Sequence, residues 1–267
     1  MPTRLRQIAL VTSDLEPTLK KLTTAFNAPI VERDPGVNKF GLHNGIIQLG
    51  DCFLEVVAPL PSIDPLKTPG GRYISKYGDG GYMLLMQVDQ LNQVENKLKH
   101  LQIIYTEGRD QVGHTKINRK HTPGLPIHVT KGSDISITGS HYHPRDMGCI
   151  IEATESTPPS EWFWAGSSTH WTSFTKEGCF AKVVIACNEP SKVCNTWHYG
   201  LSLIRRDMTK NSLWTEDGSE ISFREPLYSS ENGPVEIDLW SRTKSLIHVK
   251  TTICGVVFGF KQLPSKI

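Results

Sequence analysis

No stretch of this 267-residue chain stays apolar long enough to cross a bilayer as a helix, which takes about 20 residues. Neither sign of charge dominates. Lys and Arg number 29 against 27 Asp and Glu, a net charge of +2. No nucleic-acid or membrane-surface partner is therefore expected. The six cysteines, Cys52, Cys149, Cys179, Cys187, Cys194 and Cys254, include no CxxC pair. Most sit in apolar surroundings and read as small buried hydrophobes in a reducing compartment, not as a disulfide framework or a zinc site. Met1-Pro2-Thr3-Arg4-Leu5-Arg6 leads straight into a strand pattern and lacks the layout of a signal peptide, so a cytoplasmic location is expected. Neither GxGxxG nor GxxxxGK occurs, and no nucleotide cofactor is expected.

What is present is a repeated stretch. Cys52-Phe53-Leu54-Glu55-Val56-Val57 returns as Cys149-Ile150-Ile151-Glu152-Ala153, and again as Cys254-Gly255-Val256-Val257-Phe258, where valine replaces the glutamate. Each copy reads as a buried strand. Side chains alternate faces along a strand, so Phe53, Glu55 and Val57 share one face and Cys52, Leu54 and Val56 the other. A carboxylate in such a run is costly to bury unless it is paired or coordinates a metal. The alternative is that Glu55 caps a neighbouring group or faces solvent.

The surroundings repeat too. Residues 6–12 alternate as a strand, with Ile8 and Leu10 facing away from Gln7 and Ala9. Asp14 is a candidate helix cap, and Leu15, Leu19, Leu22 and Phe26 form a helical stripe ending at Asn27. Short strands follow near Ile30–Glu32 and Gly45–Leu49. Residues 59–81, rich in Pro and Gly, read as a linker. A second unit runs from a strand at Tyr82–Val88 through a helix bearing Leu91, Val94, Leu98 and Leu101. Strands are expected at Gln102–Glu107, Ile127–Thr130 and Asp134–Thr138, around a long polar loop at 108–126 and before the loop His141–Gly148. The order strand, helix, three strands thus occurs twice. The expected fold class is α+β, with residues 1–155 holding the paired units, 156–178 a Trp- and Pro-rich linker, and 179–267 a third, degenerate unit. Residues 206–236 show no clear pattern.

These residues carry a family resemblance, above all Gln7–Leu15, His43–Glu55 and His143–Glu152. A twice-repeated βαβββ unit with a glutamate on each last strand resembles the vicinal-oxygen-chelate superfamily, and within it the glyoxalase-like branch. The resemblance is good over residues 4–155 and weak beyond. It implies two units curled into an open, U-shaped mixed-sheet barrel. It also implies one divalent metal on the inner face, with Mg, Mn, Zn, Ni and Fe not distinguished. Carried over, Gln7, Glu55 and Glu152 are the metal ligands. The sequence departs from the family at the fourth position, which aligns with Met83. His141 or His143 is the candidate replacement. Extradiol oxygenation is disfavoured, because a 2-His-1-carboxylate iron site needs two placed histidines.

The resemblance implies a small-molecule enzyme, a non-redox isomerase, lyase or cyclase acting on an oxygenated carbonyl or enol compound. Glu55, Glu152 and His143 are the candidate catalytic groups. His43, Phe53, Met83, His141, Asp146, Trp162 and Trp164 are the candidate substrate contacts, with the two tryptophans expected near the cavity mouth. The alternative is a metal-free binding protein or cyclase using the same cavity. An odd third unit would leave an unpaired sheet. Either a homodimer through that unit or residues 206–236 of the same chain is expected to cover it.

Overall fold

The alternating and all-apolar runs become strands, and the leucine stripes become helices. In the computed structural model, which describes residues 3–103, 116–120, 136–160, 162 and 177–263, the first unit is β1 (Arg4–Val11), α1 (Leu15–Phe26), β2 (Ile30–Glu32), β3 (Leu42–Leu49) and β4 (Cys52–Pro59). Helix α1 buries Leu15, Leu19 and Leu22 and stops at Asn27. That residue turns left-handed (φ 47°) and returns its N–H to the Thr23 carbonyl.

The stretch expected as a plain linker contains helix α2 (Pro69–Tyr77). Thr68 caps it, accepting from the Gly71 N–H at 2.9 Å, and Pro69 supplies a pre-set φ at the first position. The density of glycine had masked this Thr-Pro start.

The second unit is β5 (Gly80–Gln87), α3 (Leu91–His100), β6 (Lys116–Lys120), β7 (Ser136–Tyr142), α4 (Pro144–Met147) and β8 (Ile150–Thr157). His141, expected in a loop, is thus in a strand. The strand expected at Ile127–Thr130, most of that at Gln102–Glu107, and the 108–126 stretch apart from β6 lie outside the described residues. The eight strands form one sheet in the order β2-β3-β4-β1-β5-β8-β7-β6. β1 runs parallel to β4 and antiparallel to β5, and β5 runs parallel to β8. Gln7 pairs with Leu85 and Ala9 with Met83, so the two units meet symmetrically through their first strands. One face packs Leu5, Ile8, Leu10, Cys52, Leu54 and Val56 into the main core with the helices. Each such side chain contributes roughly 1.5–3 kcal/mol of burial. The other face encloses a cavity.

Residues 179–267, which read as one unit, resolve into two. The first is β9 (Phe180–Ala186), α5 (Pro190–Gly200), β10 (Ser212–Trp214) and β11 (Glu220–Arg224). The second is β12 (Gly233–Ser241), β13 (Thr251–Ile253) and β14 (Val256–Gln262), with only a 3-10 turn at Lys244–Leu246 where a helix would stand. Their sheet, β10-β11-β9-β12-β14-β13, reproduces the central pattern of the first. β9 is parallel to β11 and antiparallel to β12, and β12 is parallel to β14. The third echo, Cys254–Phe258, therefore closes a fourth unit and not the third. Residues 206–236 hid β10 and β11 because those strands are short and β11 is buried only at alternate positions. The pairing sought from a second copy is made within the chain by β9 and β12. The two sheets share one hydrophobic core.

Candidate functional site

Strand register decides which side chains meet. Ala9 lies beside Glu55 and Gln7 beside Phe53 on the β1–β4 pair. Leu85 lies beside Glu152 and Met83 beside Ile150 on the β5–β8 pair. By the two-residue period of a strand, Gln7, Glu55, Met83 and Glu152 all project from the same face. They line a cavity of about 380 Å³, together with His141, Tyr82, Arg72 and apolar groups including Phe40, Leu42 and Val57.

Glu55 is 8% exposed. Its Oε1 accepts from Asn44 Nδ2 at 2.5 Å and its Oε2 from Gln7 Nε2 at 3.0 Å. Each amide is held from behind by another N–H. The Asp34 backbone donates to Asn44 Oδ1 at 2.9 Å, and Trp162 Nε1 donates to Gln7 Oε1 at 2.9 Å. Flipping either amide would break two bonds, so both NH₂ groups point at the carboxylate. Burial pushes the Glu55 pKa up to about 7. The Asn44 and Gln7 bonds pull it down, while the charges of Asp34 and Glu152 add to the rise.

Glu152 is buried and doubly held. His141, directly opposite it on β7, places Nε2 2.5 Å from Oε2, and Thr154 donates to Oε1 at 2.7 Å. Gly139 leaves the room: a Cβ there would stand 2.9 Å from Glu152 Oε1.

The structure therefore brings Gln7, Glu55, Met83, His141 and Glu152 around one cavity. It leaves several expected residues off the lining. Phe53 and Trp162 are fully buried with Ile46, Leu85 and Ile137, behind the cavity floor and not at its mouth. His43 lies close enough to Glu16 of α1 to influence that carboxylate. His143 caps α4 by accepting from the Arg145 N–H at 3.1 Å, and it lines a second cavity of about 370 Å³. Burial, and then the charge of Arg145, lower its pKa. Asp146 pairs with Arg145 at 2.9 Å. Trp164 lies outside the described residues. Sequence reasoning missed Asn44, Arg72 and Tyr82. Asn44 was findable, since the hairpin register sets Ile46 opposite Glu55 and places Asn44 diagonally on the same face.

No protein-family model and no curated protein matches the chain. Solved structures do. A hypothetical protein from Staphylococcus aureus is similar over 98% of this chain and 100% of its own, at 11% identity and a TM-score of 0.62. A variant of 4-hydroxymandelate synthase from Streptomyces coelicolor is similar over 90% of this chain and 71% of its own, at 12% identity and a TM-score of 0.59. The strand order and these likenesses agree. The chain has the vicinal-oxygen-chelate fold.

The family resemblance implies one divalent metal, and the donor set here can be tested against one. The Gln7 oxygen is taken by Trp162 and its NH₂ faces Glu55. Each carboxylate already accepts two hydrogen bonds. Met83, which the resemblance aligns with the fourth ligand position, is a thioether unsuited to a hard cation. As the side chains sit, they do not fit a divalent ion. Among the described residues, one group of three His, Cys, Asp or Glu has donor atoms within 4.8 Å of one another, Asp51, Cys52 and Cys179, which do not line this cavity. There Arg4 and Arg6 already hold the Asp51 carboxylate, at 2.5 and 3.4 Å. The Cys52 hydrogen bond and burial push the Cys179 pKa up.

Proposed function

We propose that the chain is a non-redox, small-molecule enzyme that moves a proton on the carbon next to a carbonyl, in the isomerase or lyase class. The cavity volume suits a small ligand. The observation that carries the reading is the Glu55 carboxyl, clamped by two locked amides and holding a pKa of about 7. A group with that pKa is divided between acid and base near neutral pH, the condition for general acid–base work. The two amide donors occupy one lone pair on each oxygen, and the lone pairs that remain serve the cavity the group lines.

In this reading the Glu55 carboxylate takes a proton from the carbon, and the C–H electron pair moves into the carbonyl as an enolate. The same carboxylic acid returns the proton to either face or to a neighbouring atom, which gives isomerisation, or the enolate expels a leaving group. The His141–Glu152 pair lines the same cavity and carries a proton between Nε2 and Oε2. No step is routed through a metal.

The test is solvent deuterium exchange. Enolisable carbonyl compounds are incubated with the protein in deuterated buffer, and label at the carbon beside the carbonyl is followed by NMR. Exchange catalysed by the native protein and lost in Glu55→Gln is expected. Undiminished exchange in Glu55→Gln refutes the assignment, and tight binding without exchange favours a binding protein.

A further inference from the structure

Among the described residues lining the cavity, Arg72 is the one Lys or Arg. It stands exposed on α2, and its contact with the described residues is a 3.5 Å approach of Nη1 to the Leu66 carbonyl. The carboxylates that share the cavity are committed elsewhere. Asp34 accepts from the Gly36 N–H, Glu55 from two amides, and Glu152 from His141 and Thr154. None neutralises Arg72.

An exposed arginine by itself is commonly no more than a solvated charge. Here a second donor lies beside it. Tyr82 lines the same cavity, and its ring is fixed edge-on against Tyr73 at 5.4 Å. Its hydroxyl has no hydrogen-bond partner among the described residues. Burial raises the Tyr82 pKa to about 12 against the opposing charge of Arg72, so the group stays a phenol and a donor. The same phenol feels the Glu55 charge, which places it near both Arg72 and the proposed base.

We propose that the substrate carries an anionic oxygen group, a carboxylate or a phosphate, held by the Arg72 guanidinium and the Tyr82 hydroxyl. A guanidinium meets two oxygens of such a group in a planar fork, and a phenol O–H adds a third bond. Anchoring there would present the carbon beside the carbonyl to Glu55. This last point rests on the proton-transfer reading; the anion subsite does not.

The test compares 2-oxobutanoate with its neutral methyl ester on the intact protein, by calorimetry for binding and by deuterium exchange at C3 for chemistry. The acid is expected to bind and the ester to bind about tenfold more weakly or worse, as charge-assisted bonds imply. Arg72→Ala should remove that difference, Arg72→Lys restore part of it, and Tyr82→Phe weaken the acid alone. Arg72 makes so little contact that its variants should fold, which circular dichroism checks. Competition by acetate or inorganic phosphate separates the two sources, the tighter competitor naming the group. Equal binding of acid and ester, unchanged binding in Arg72→Ala, or no binding of 2-oxobutanoate, acetate or phosphate would overturn the proposal. Exchange on the ester would then leave the Glu55 reading standing. Arg72-dependent binding without exchange would remove the Glu55 reading and keep the subsite.

Discussion

Trp162 Nε1 donates to Gln7 Oε1 across 155 residues of sequence, and this bond turns the Gln7 amide so that its NH₂ meets Glu55. A residue buried behind the cavity thus sets the donor pattern inside it. Trp162→Phe keeps most of the apolar volume and removes the N–H. It should cost roughly 1–3 kcal/mol of stability, the range for an unsatisfied buried acceptor. It should also raise the Glu55 pKa, because the Gln7 bond that lowers it is no longer held in place. The acid limb of the exchange-rate profile is expected to move to higher pH. A profile that stays put while stability falls would make Trp162 a packing residue only.

Stability should depend on pH through Glu55. Its folded pKa of about 7 lies above its ordinary value of 4.5, so the native state holds a proton that the unfolded state gives up between those values. The sign follows: this contribution is complete below about pH 4.5 and is lost as pH rises through 7. The size is about 3 kcal/mol for a shift of this order. Urea unfolding of the native protein and of Glu55→Gln between pH 5 and 8 measures it. The variant should show a flatter profile, and parallel profiles would contradict the buried-carboxyl account.

Activity should survive loss of metal. Glu55 is held by Gln7 and Asn44, Glu152 by His141 and Thr154, and Met83 offers no hard ligand. Treatment with a chelator, followed by elemental analysis and the exchange assay, is expected to leave the rate within about twofold, well under the several kcal/mol that a metal's charge stabilisation supplies. A stoichiometric metal whose removal abolishes exchange would restore the ligand roles that the resemblance implies.

Gly81 is where β5 meets β12. A Cβ there would fall 2.0 Å from the Pro234 carbonyl oxygen, which is backbone and has no rotamer to yield. Gly81→Ala should destabilise by about 1–3 kcal/mol or more by forcing the sheets apart. The midpoint of chemical unfolding reads this directly, and an unchanged midpoint would mean that the contact between the sheets is softer than described.

Because β9 and β12 complete the second sheet within one chain, size measurement at low concentration should give a monomer near 29.8 kDa. A dimer that persists on dilution would show that a surface other than this one is paired.

While the resemblance implied that Gln7, Glu55 and Glu152 share one inner face, the amino-acid sequence by itself determined the repeated strand–helix–strand units and the side of its own strand on which Gln7 or Glu55 lies. That much is local. Strand parity has a period of two residues, and a helical stripe such as Leu15, Leu19 and Leu22 can be read from one segment at a time. Tertiary structure alone decided the rest. Trp162 reaches Gln7, Arg72 arrives on a helix masked by glycine, and β12–β14 pair with β9–β11 although no α-helix marks the fourth unit. The physical reason is that a hydrogen bond or a sheet pairing is set by proximity in space, and no local periodicity records which distant segment will supply the partner. The same holds for the chemistry. The Glu55 carboxylate is visible at its position in the chain, but its burial and its two locked amide donors, which fix its pKa, exist only once the sheet has closed around it.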